Sequence, residues 1–448
     1  MTNDILKLSK KAAELILATS KSARIRVISH YDADGITAAA IISQALNRAG
    51  YNFHTTLMRN PFTQGLERVK REGNELIIFT DMGSGQIGFI EKMGCKAIII
   101  DHHQSLKEKT TDDILQINAN LCGIDGNYEA CGATLIYNVV KALDSKNVDL
   151  VSLAMAGATG DKQYIGGLRG YNKKILDEGL KNGFLKEEVG LKLSGETLSD
   201  ALYYAVDPYY SGISGDRQGV QELLKKLEIN EDFKIKDLTE SQRKQLNSYL
   251  MFKLIKIGCE KNILDTVIRN RYWSDALFGC ELEEFADLVD SCGKGGNRGL
   301  GLSVCMGDKN SFEEAKKLEK DYKQKILDEL VRLEHEGFEE KTSYKYFYSK
   351  ESSLGGVIGS VAINFILGRE KPLLSLVRKD GELHVSCRGN QYLVKKGLDL
   401  AFAMKEASKQ VGGSGGGHAI ASGATVKLEY EEKFLKIVDE IICKQLKM

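Results

Sequence analysis

The sequence predicts an α/β protein: a parallel-sheet domain first, then a helical insertion, a long linker helix and a smaller α/β domain. Three observations predict it. Apolar runs of parallel-strand character recur at 25–28, 76–80 and 97–100, and each ends in acidic or imidazole side chains. Helix-like runs separate them. Residues 311–336 read as one charged helix whose apolar stripe, Leu318, Tyr322, Ile326, Leu330 and Leu333, is narrow.

An amphipathic helix over 7–18 opens the chain and carries no cleavage signal. The strand at 24–28 leads into Ser29-His30-Tyr31-Asp32-Ala33-Asp34-Gly35, and a helix over 37–49 stops at Gly50, which suits a left-handed end position. If the extended geometry continues beyond the strand, His30, Asp32 and Asp34 alternate and point to one side. Carboxylates that close repel each other unless a cation lies between them. An acidic turn capping the next helix would use the same residue types, so the rest of the chain has to decide. A strand at 51–57 and a short helix at 64–71 follow; the strand at 76–80 then runs into Asp81, and that at 97–100 into Asp101-His102-His103. Ligands of open parallel sheets bind outside the carboxyl ends of the strands, where residues distant in sequence meet. A helix over 132–143 and a small-residue run over 151–159 lead to Gly160-Asp161-Lys162-Gln163, which supplies a fourth acid.

Periodicity weakens from about residue 173, and 205–310 read as an inserted subdomain with amphipathic helices at 218–227 and 242–257. Ser311 is the expected N-cap of the linker helix. Beyond it come strands at 345–348, 372–377 and 383–386, a helix at 358–367, the tract Gly412-Gly413-Ser414-Gly415-Gly416-Gly417-His418, a strand at 424–428 and a final helix. The expected domains are therefore 1–204, 205–310, 311–337 and 338–448. There is no internal repeat and no low-complexity tail.

Composition narrows the classes. Hydrophobic residues make up 42% and charged residues 28% of 448, and Lys plus Arg equals Asp plus Glu at 62 each, so a polyanion would need a local basic surface. The nine cysteines are scattered without a C-x-x-C pair, which suits free thiols in a reducing compartment; the expected location is the cytoplasm. No apolar stretch approaches a membrane span, so no membrane association is expected.

Of seven histidines, His30, His102, His103 and His418 fall in the motifs above. Carboxylates mixed with imidazoles suit Mn²⁺, Mg²⁺, Zn²⁺ or Fe²⁺ more than Ca²⁺, and the absence of a thiolate weakens the case for zinc; manganese is the expected ion. The set suffices for two ions about 4 Å apart, the spacing at which a metal pair activates water and steadies a leaving oxygen. The reaction class is hydrolysis of a phosphoester. The glycine tract would serve as a flexible linker, but structured sequence flanks it closely and it ends in a histidine; glycines also let backbone N–H groups converge on phosphate. Ser386 and Arg388 end a strand, where the guanidinium can clamp a phosphate. The run Gly355-Gly356-Val357-Ile358-Gly359 lacks the strand-bound spacing of a dinucleotide fingerprint.

The order His-x-Asp-x-Asp-Gly, Asp after a strand, Asp-His-His, Gly-Asp, Ser-x-Arg-Gly and Gly-Gly-Gly-His resembles the DHH phosphoesterase superfamily, in the subfamily with a C-terminal DHHA1 domain. Residues 29–37 and 290–307 look most like archaeal RecJ-like proteins of the GINS-associated nuclease type. The resemblance implies that Asp32, Asp34, Asp81, His102 and Asp161 hold two metals, Mn²⁺ with Mg²⁺ as the substitute, and that Asp81 bridges them. It also implies that Asp101 orients His102 and His103 faces the scissile phosphate. His30 stands only two residues before Asp32, closer than in many members, and is kept as a ligand of the first metal. Ser386, Arg388, Gly415, Gly416, Gly417 and His418 would hold the substrate phosphate. The implied activity is a single-strand-specific exonuclease releasing mononucleotides from DNA or RNA in replication or repair, with GINS subunits as partners. Alternatives are hydrolysis of very short oligoribonucleotides or cyclic dinucleotides, and a Cdc45-like scaffold without catalysis; the complete metal set disfavours the scaffold. Neither polarity nor the choice of sugar is legible.

Overall fold

The computed structural model describes residues 2–58, 63–105, 110–350 and 354–448. Its chain forms two compact units, Met1–Gly190 with Asn270–Glu319, and Leu191–Arg269 with Lys320–Met448. Residues 205–310 are divided between them at 269/270.

In the first unit, strands β1 (Arg24–His30), β2 (Asn52–Met58), β3 (Leu76–Thr80), β4 (Lys96–Asp101) and β5 (Ile114–Asn118) form a sheet in the order β2-β1-β3-β4-β5. All four pairings are parallel. Helices α1 (Thr2–Ala18), α2 (Ala33–Arg48), α3 (Thr63–Arg71), α4 (Ile87–Glu91), α5 (Gly132–Leu143) and α6 (Val151–Gly160) accompany it. Side chains alternate along a strand, so Ile25, Val27, Ile78, Ile98 and Ile100 enter a large core with α1, α2, α5 and α6. Ile28, Ile77, Phe79 and Ile99 enter a smaller one with Leu66, Val69, Ile87 and Ile90. Burial on both faces explains the uninterrupted apolar runs. Leu282, Phe285, Val289 and Val304, from the later part of the unit, join the larger core.

The strand order reverses between β1 and β3, which makes their carboxyl ends a switch point where open sheets bind ligands. Register pairs Ser29 with Thr80 and Thr80 with Ile100, so His30, Asp81 and Asp101 emerge at one level. Ser29 Oγ donates to the Thr80 carbonyl at 2.9 Å and lies 2.7 Å from Thr80 Oγ1, joining the strand ends.

Two expectations shift here. Helix α2 starts at Ala33, not at 37, and Asp32 is its N-cap, accepting from the Gly35 N–H at 3.0 Å. The alternation argument therefore covers His30 and Asp32 only, and Asp34 reaches inward from the first helical turn. β5 was not expected, its alternation being blurred by Gln116 and Asn118.

Strands β6 (Lys186–Leu191) and β7 (Ile268–Trp273) pair as a ribbon. The second unit holds a six-stranded mixed sheet, β12-β13-β11-β10-β9-β8, from β8 (Glu339–Glu340), β9 (Lys345–Tyr348), β10 (Leu373–Lys379), β11 (Glu382–Arg388), β12 (Ser414–Gly417) and β13 (Ala421–Lys427). The linker helix spans Lys309–Glu336, and its cap is Asp308, whose carboxylate accepts from the Ser311 N–H at 2.6 Å; Ser311 lies inside the helix. Ala315 belongs to the first unit's core, whereas Ile326, Leu327, Leu330 and Leu333 belong to a core of the second. The glycine tract is an edge strand. A β-carbon on Gly415 would stand 2.5 Å from the Met404 carbonyl oxygen, so glycine lets β12 press against the helix Leu400–Gln410.

Candidate metal centre

The centre grows from four pieces of the first unit: the end of β1 with the start of α2, the residue after β3, the end of β4, and the end of α6. Three donor groups arise: His30, Asp32 and Asp81; Asp34, His102 and Asp161; and Asp81, His102 and His103. Within each group the donor atoms lie within 4.8 Å of one another.

Asp81 is 2% exposed and faces both sides of the cluster. Its Oδ1 is 3.1 Å from His102 Nε2, and its Oδ2 is 3.6 Å from His30 Nδ1. Its φ of 56° is left-handed, uncommon for a side chain with a β-carbon and a known mark of functional positions. A β-carbon on Gly132 would lie 2.6 Å from that of Asp81, so the first residue of α5 must be glycine for the carboxylate to sit there.

Asp34 is 2% exposed, and its oxygens accept from the N–H groups of Gly132 at 2.7 Å and Ala133 at 2.8 Å. One carboxylate thus faces the centre and also caps the N-terminus of α5, where an anion is favoured. His102 Nδ1 lies 2.6 Å from the Gly126 carbonyl, an arrangement that places the proton on Nδ1 and leaves Nε2 as a donor toward a metal. Its Nε2 is 3.7 Å from Asp34 Oδ2. Asp161, 32% exposed, places Oδ2 3.8 Å from His102 Nδ1. His30 Nδ1 lies 2.7 Å from Asp32 Oδ2.

The role expected for Asp101 is corrected. Its carboxylate accepts from the backbone N–H of His102 at 2.8 Å and of Ser84 at 2.9 Å, but the ring it holds is that of His103, at 2.8 Å. Asp101 therefore shapes the turn and aims His103, whose side chain is 57% exposed. Gly126 and Gln163 escaped sequence reasoning. Gln163 Nε2 donates to the carbonyls of Gly126 and Ala130, each at 3.0 Å, and to Asp161 Oδ2 at 2.8 Å. Its one sequence signal was its place two residues after Asp161.

Electrostatics fit a cation site. Among the described residues no lysine or arginine pairs with Asp32, Asp34, Asp81 or Asp161. Burial opposes a charged His30 ring, but Asp32 and Asp81 outweigh it and push its pKa up to about 11. His102 is likewise raised, burial being overcome by Asp81, Asp161 and Asp34. Burial would raise Asp81, yet the His102 and His30 rings hold it below the usual carboxylate range. Burial and the charge of Asp81 raise Asp34 well above that range, and burial brings Asp161 up to about 6. A crowd of oxygen and imidazole donors with no lysine or arginine paired to its carboxylates among the described residues is what hard or borderline divalent cations satisfy.

In the second unit, Ser386 and Arg388 lie on β11, Gly415, Gly416 and Gly417 on β12, and His418 opens the turn to β13, its N–H donating to the Ala421 carbonyl at 2.8 Å. Arg388 Nε donates to Ser360 Oγ at 2.9 Å and Nη1 to the Cys387 carbonyl at 2.8 Å. A β-carbon on Gly356 would lie 2.8 Å from Arg388 Nη2, so the guanidinium lies against the start of the helix Gly355–Phe365. It has no carboxylate partner among the described residues, and burial lowers its pKa.

The DHH family, N-terminal domain, matches residues 24–159, and the DHHA1 domain matches residues 343–444. An uncharacterized protein of Methanocaldococcus jannaschii is 30% identical over 99% of this chain and 98% of its own length. The single-stranded-DNA-specific exonuclease RecJ of Thermus thermophilus is 28% identical over 43% of this chain and 30% of its own length. A crystal structure of RecJ from that organism in complex with Mn²⁺ superposes with a TM-score of 0.62 at 18% identity, covering 98% of this chain and 55% of the other. That of CDC45 from Entamoeba histolytica superposes with a TM-score of 0.68 at 11% identity, covering 98% of each. The present chain thus spans just over half of the Thermus structure. No described helix is long and apolar enough to cross a membrane. With the DHH match over every candidate donor but Asp161 and the DHHA1 match over the second unit's sheet from β9 onward, the chain belongs to the DHH/DHHA1 superfamily of phosphoesterases and has the RecJ-like architecture.

Proposed function

We propose that the protein is a manganese-dependent exonuclease that hydrolyses phosphodiester bonds of single-stranded DNA or RNA to mononucleotides, in replication or repair. The observation that carries the reading is the buried Asp81, whose two oxygens turn to different histidines and which belongs to two donor groups at once. Divalent ions held there would supply Lewis acidity toward a phosphodiester and the charge that balances the carboxylates. Asp32, Asp34, His102 and Asp161 are the remaining donors, with His30 added on the β1 side. Asp101 fixes the ring of His103, which stands exposed where a phosphate oxygen would arrive and can donate a hydrogen bond to it. In the second unit, Arg388, Ser386, Gly415, Gly416, Gly417 and His418 are assigned to the substrate phosphate; a guanidinium beside a helix start, without a carboxylate partner among the described residues, supports this. GINS subunits as partners rest on the resemblance of residues 29–37 and 290–307.

Hydrolysis of dinucleotides or cyclic dinucleotides would use the same centre. A Cdc45-like scaffold accounts for the fold but gives the donor set no work. Purified protein with Mn²⁺, given end-labelled DNA and RNA strands from dinucleotides upward, separates the three: stepwise mononucleotide release supports the exonuclease, cleavage confined to dinucleotides supports the second reading, and no cleavage supports the scaffold.

A further inference from the structure

The metal set leaves unused an aromatic ring and a guanidinium that sit together on the loops beside it. The Arg169 guanidinium carbon lies 5.1 Å from the centre of the Tyr128 ring. Tyr128 is 46% exposed. Arg169, also exposed, forms no ion pair among the described residues, its hydrogen bond going to the Ile165 carbonyl at 3.4 Å.

Both residues hang from loops fastened to the centre. Gly126, two positions before Tyr128, accepts from His102 Nδ1 and Gln163 Nε2, and its N–H donates to Asn120 Oδ1 at 3.2 Å. Asn120 Nδ2 in turn donates to the His102 carbonyl at 2.8 Å. Arg169 closes the loop that begins at Asp161. Asn172, just beyond it, donates its N–H to the Glu129 carbonyl at 2.8 Å and its Nδ2 to Gln163 Oε1 at 2.5 Å. The two loops are therefore one bonded piece with His102 and Asp161. Two residues of chain span at most about 7 Å, so the Tyr128 backbone stays within that distance of Gly126. The ring is thereby tied to the loop that buttresses His102.

A ring held by a guanidinium and still nearly half exposed is ordered but uncovered. Every nucleobase has a face that can stack on such a ring, whereas a base inside a duplex is already stacked. The arginine adds positive charge where a polyanion approaches an acidic centre. We propose that Tyr128 and Arg169 form a stacking platform for the unpaired nucleobase adjoining the cleaved phosphodiester. The proposal rests on the nuclease reading above.

The test uses the full-length protein loaded with Mn²⁺, the variants Tyr128→Ala, Tyr128→Phe and Arg169→Ala, and two single strands, one intact and one abasic at its terminal nucleotides. Bound manganese, KM and kcat are measured. Tyr128→Ala should raise KM for the intact strand roughly tenfold or more, Tyr128→Phe should restore it, and manganese content should not change. On the abasic strand, wild type and Tyr128→Ala should behave alike. An unchanged KM on the intact strand, an equal loss on both strands, or loss of manganese in Tyr128→Ala overturns the platform. If wild type cleaves neither strand, the nuclease reading fails; equilibrium binding of both strands by the same variants then decides the platform, which is overturned if Tyr128→Ala binds the intact strand as wild type does.

Discussion

Gly157 of α6 stands against Asp34: a β-carbon there would lie 2.8 Å from Asp34 Oδ1, 2.6 Å from Thr37 Oγ1 and 2.4 Å from the Ala133 β-carbon. The missing side chain is what admits a carboxylate between α2, α5 and α6. Gly157→Ala should therefore destabilise the first unit by about 1–3 kcal/mol, as overpacking does, and displace Asp34. Denaturant titration and bound manganese are the readouts. A variant of unchanged stability and metal content would show that α6 yields freely and does not set the position of Asp34.

Asp81→Ala should cost more metal and more activity than Asp32→Ala, because Asp81 belongs to two donor groups and Asp32 to one. Stoichiometry by elemental analysis distinguishes loss of both ions from loss of one. Full hydrolysis by Asp81→Ala in excess metal would refute the two-metal arrangement.

Chelation should abolish hydrolysis, and Mn²⁺ should restore it better than Ca²⁺, which prefers an all-oxygen shell to one containing imidazole. Titrating each ion back into stripped protein gives the comparison; equal recovery with Ca²⁺ would argue that the histidines are not ligands.

Arg388→Ala should raise KM by about tenfold or more with a smaller fall in kcat and unchanged manganese content, since it removes a charge-assisted contact to a phosphate. Arg388→Lys should recover only part of the loss, because an ammonium lacks the fork that bonds two oxygens. Metal loss in either variant would contradict the separation of grip from chemistry.

In the second unit, the Asp439 carboxylate accepts from the Ser343 N–H at 2.8 Å and the Ser343 hydroxyl at 2.7 Å. Burial works against the charge, but these bonds prevail and hold its pKa below the ordinary 3.8. The folded group binds its proton less readily than the unfolded one, so its stabilisation is present above about pH 4 and fades as pH falls through its lowered folded value. Asp439→Ala should cost about 1 kcal/mol at neutral pH, with the difference from wild type shrinking in acid. A difference independent of pH would mean that the carboxylate charge is not what stabilises the contact.

The candidate donor cluster was legible where a polar residue directly follows an apolar strand. Asp81 and His102 could be read because a fully buried strand leaves the next polar residue no place but the sheet's mouth. Asp34 was found for an incomplete reason: its neighbours suggested extended chain, whereas its carboxylate is positioned by N–H groups of Gly132 and Ala133, far away in sequence, and no local pattern reports such a bond. Gly126 contributes only a carbonyl, which every residue type possesses, so nothing in its side chain could announce it. The glycine tract has a packing role that composition did not show. Flexibility and phosphate binding were weighed; Gly415 also answers to crowding by the Met404 carbonyl, a tertiary contact that composition cannot reveal. Asp308 and Ser311 were both available as caps, three residues apart, and a helix boundary shifted by one turn has the same periodicity.

The chain leaves and re-enters its two compact units, crossing at 190/191, 269/270 and 319/320. Neither unit is a continuous stretch of polypeptide. During synthesis from the N-terminus, the sheet and its metal donors emerge early, but the helices Leu282–Lys294 and Arg298–Cys305, whose Phe285, Val289 and Val304 complete the larger core, emerge only after residues 191–269 have been made. The nascent centre must therefore wait, with part of its core uncovered, while a segment belonging to the other unit passes through the ribosome. A stop codon placed between residues 162 and 270 would leave every proposed metal donor present and the core around them unfinished.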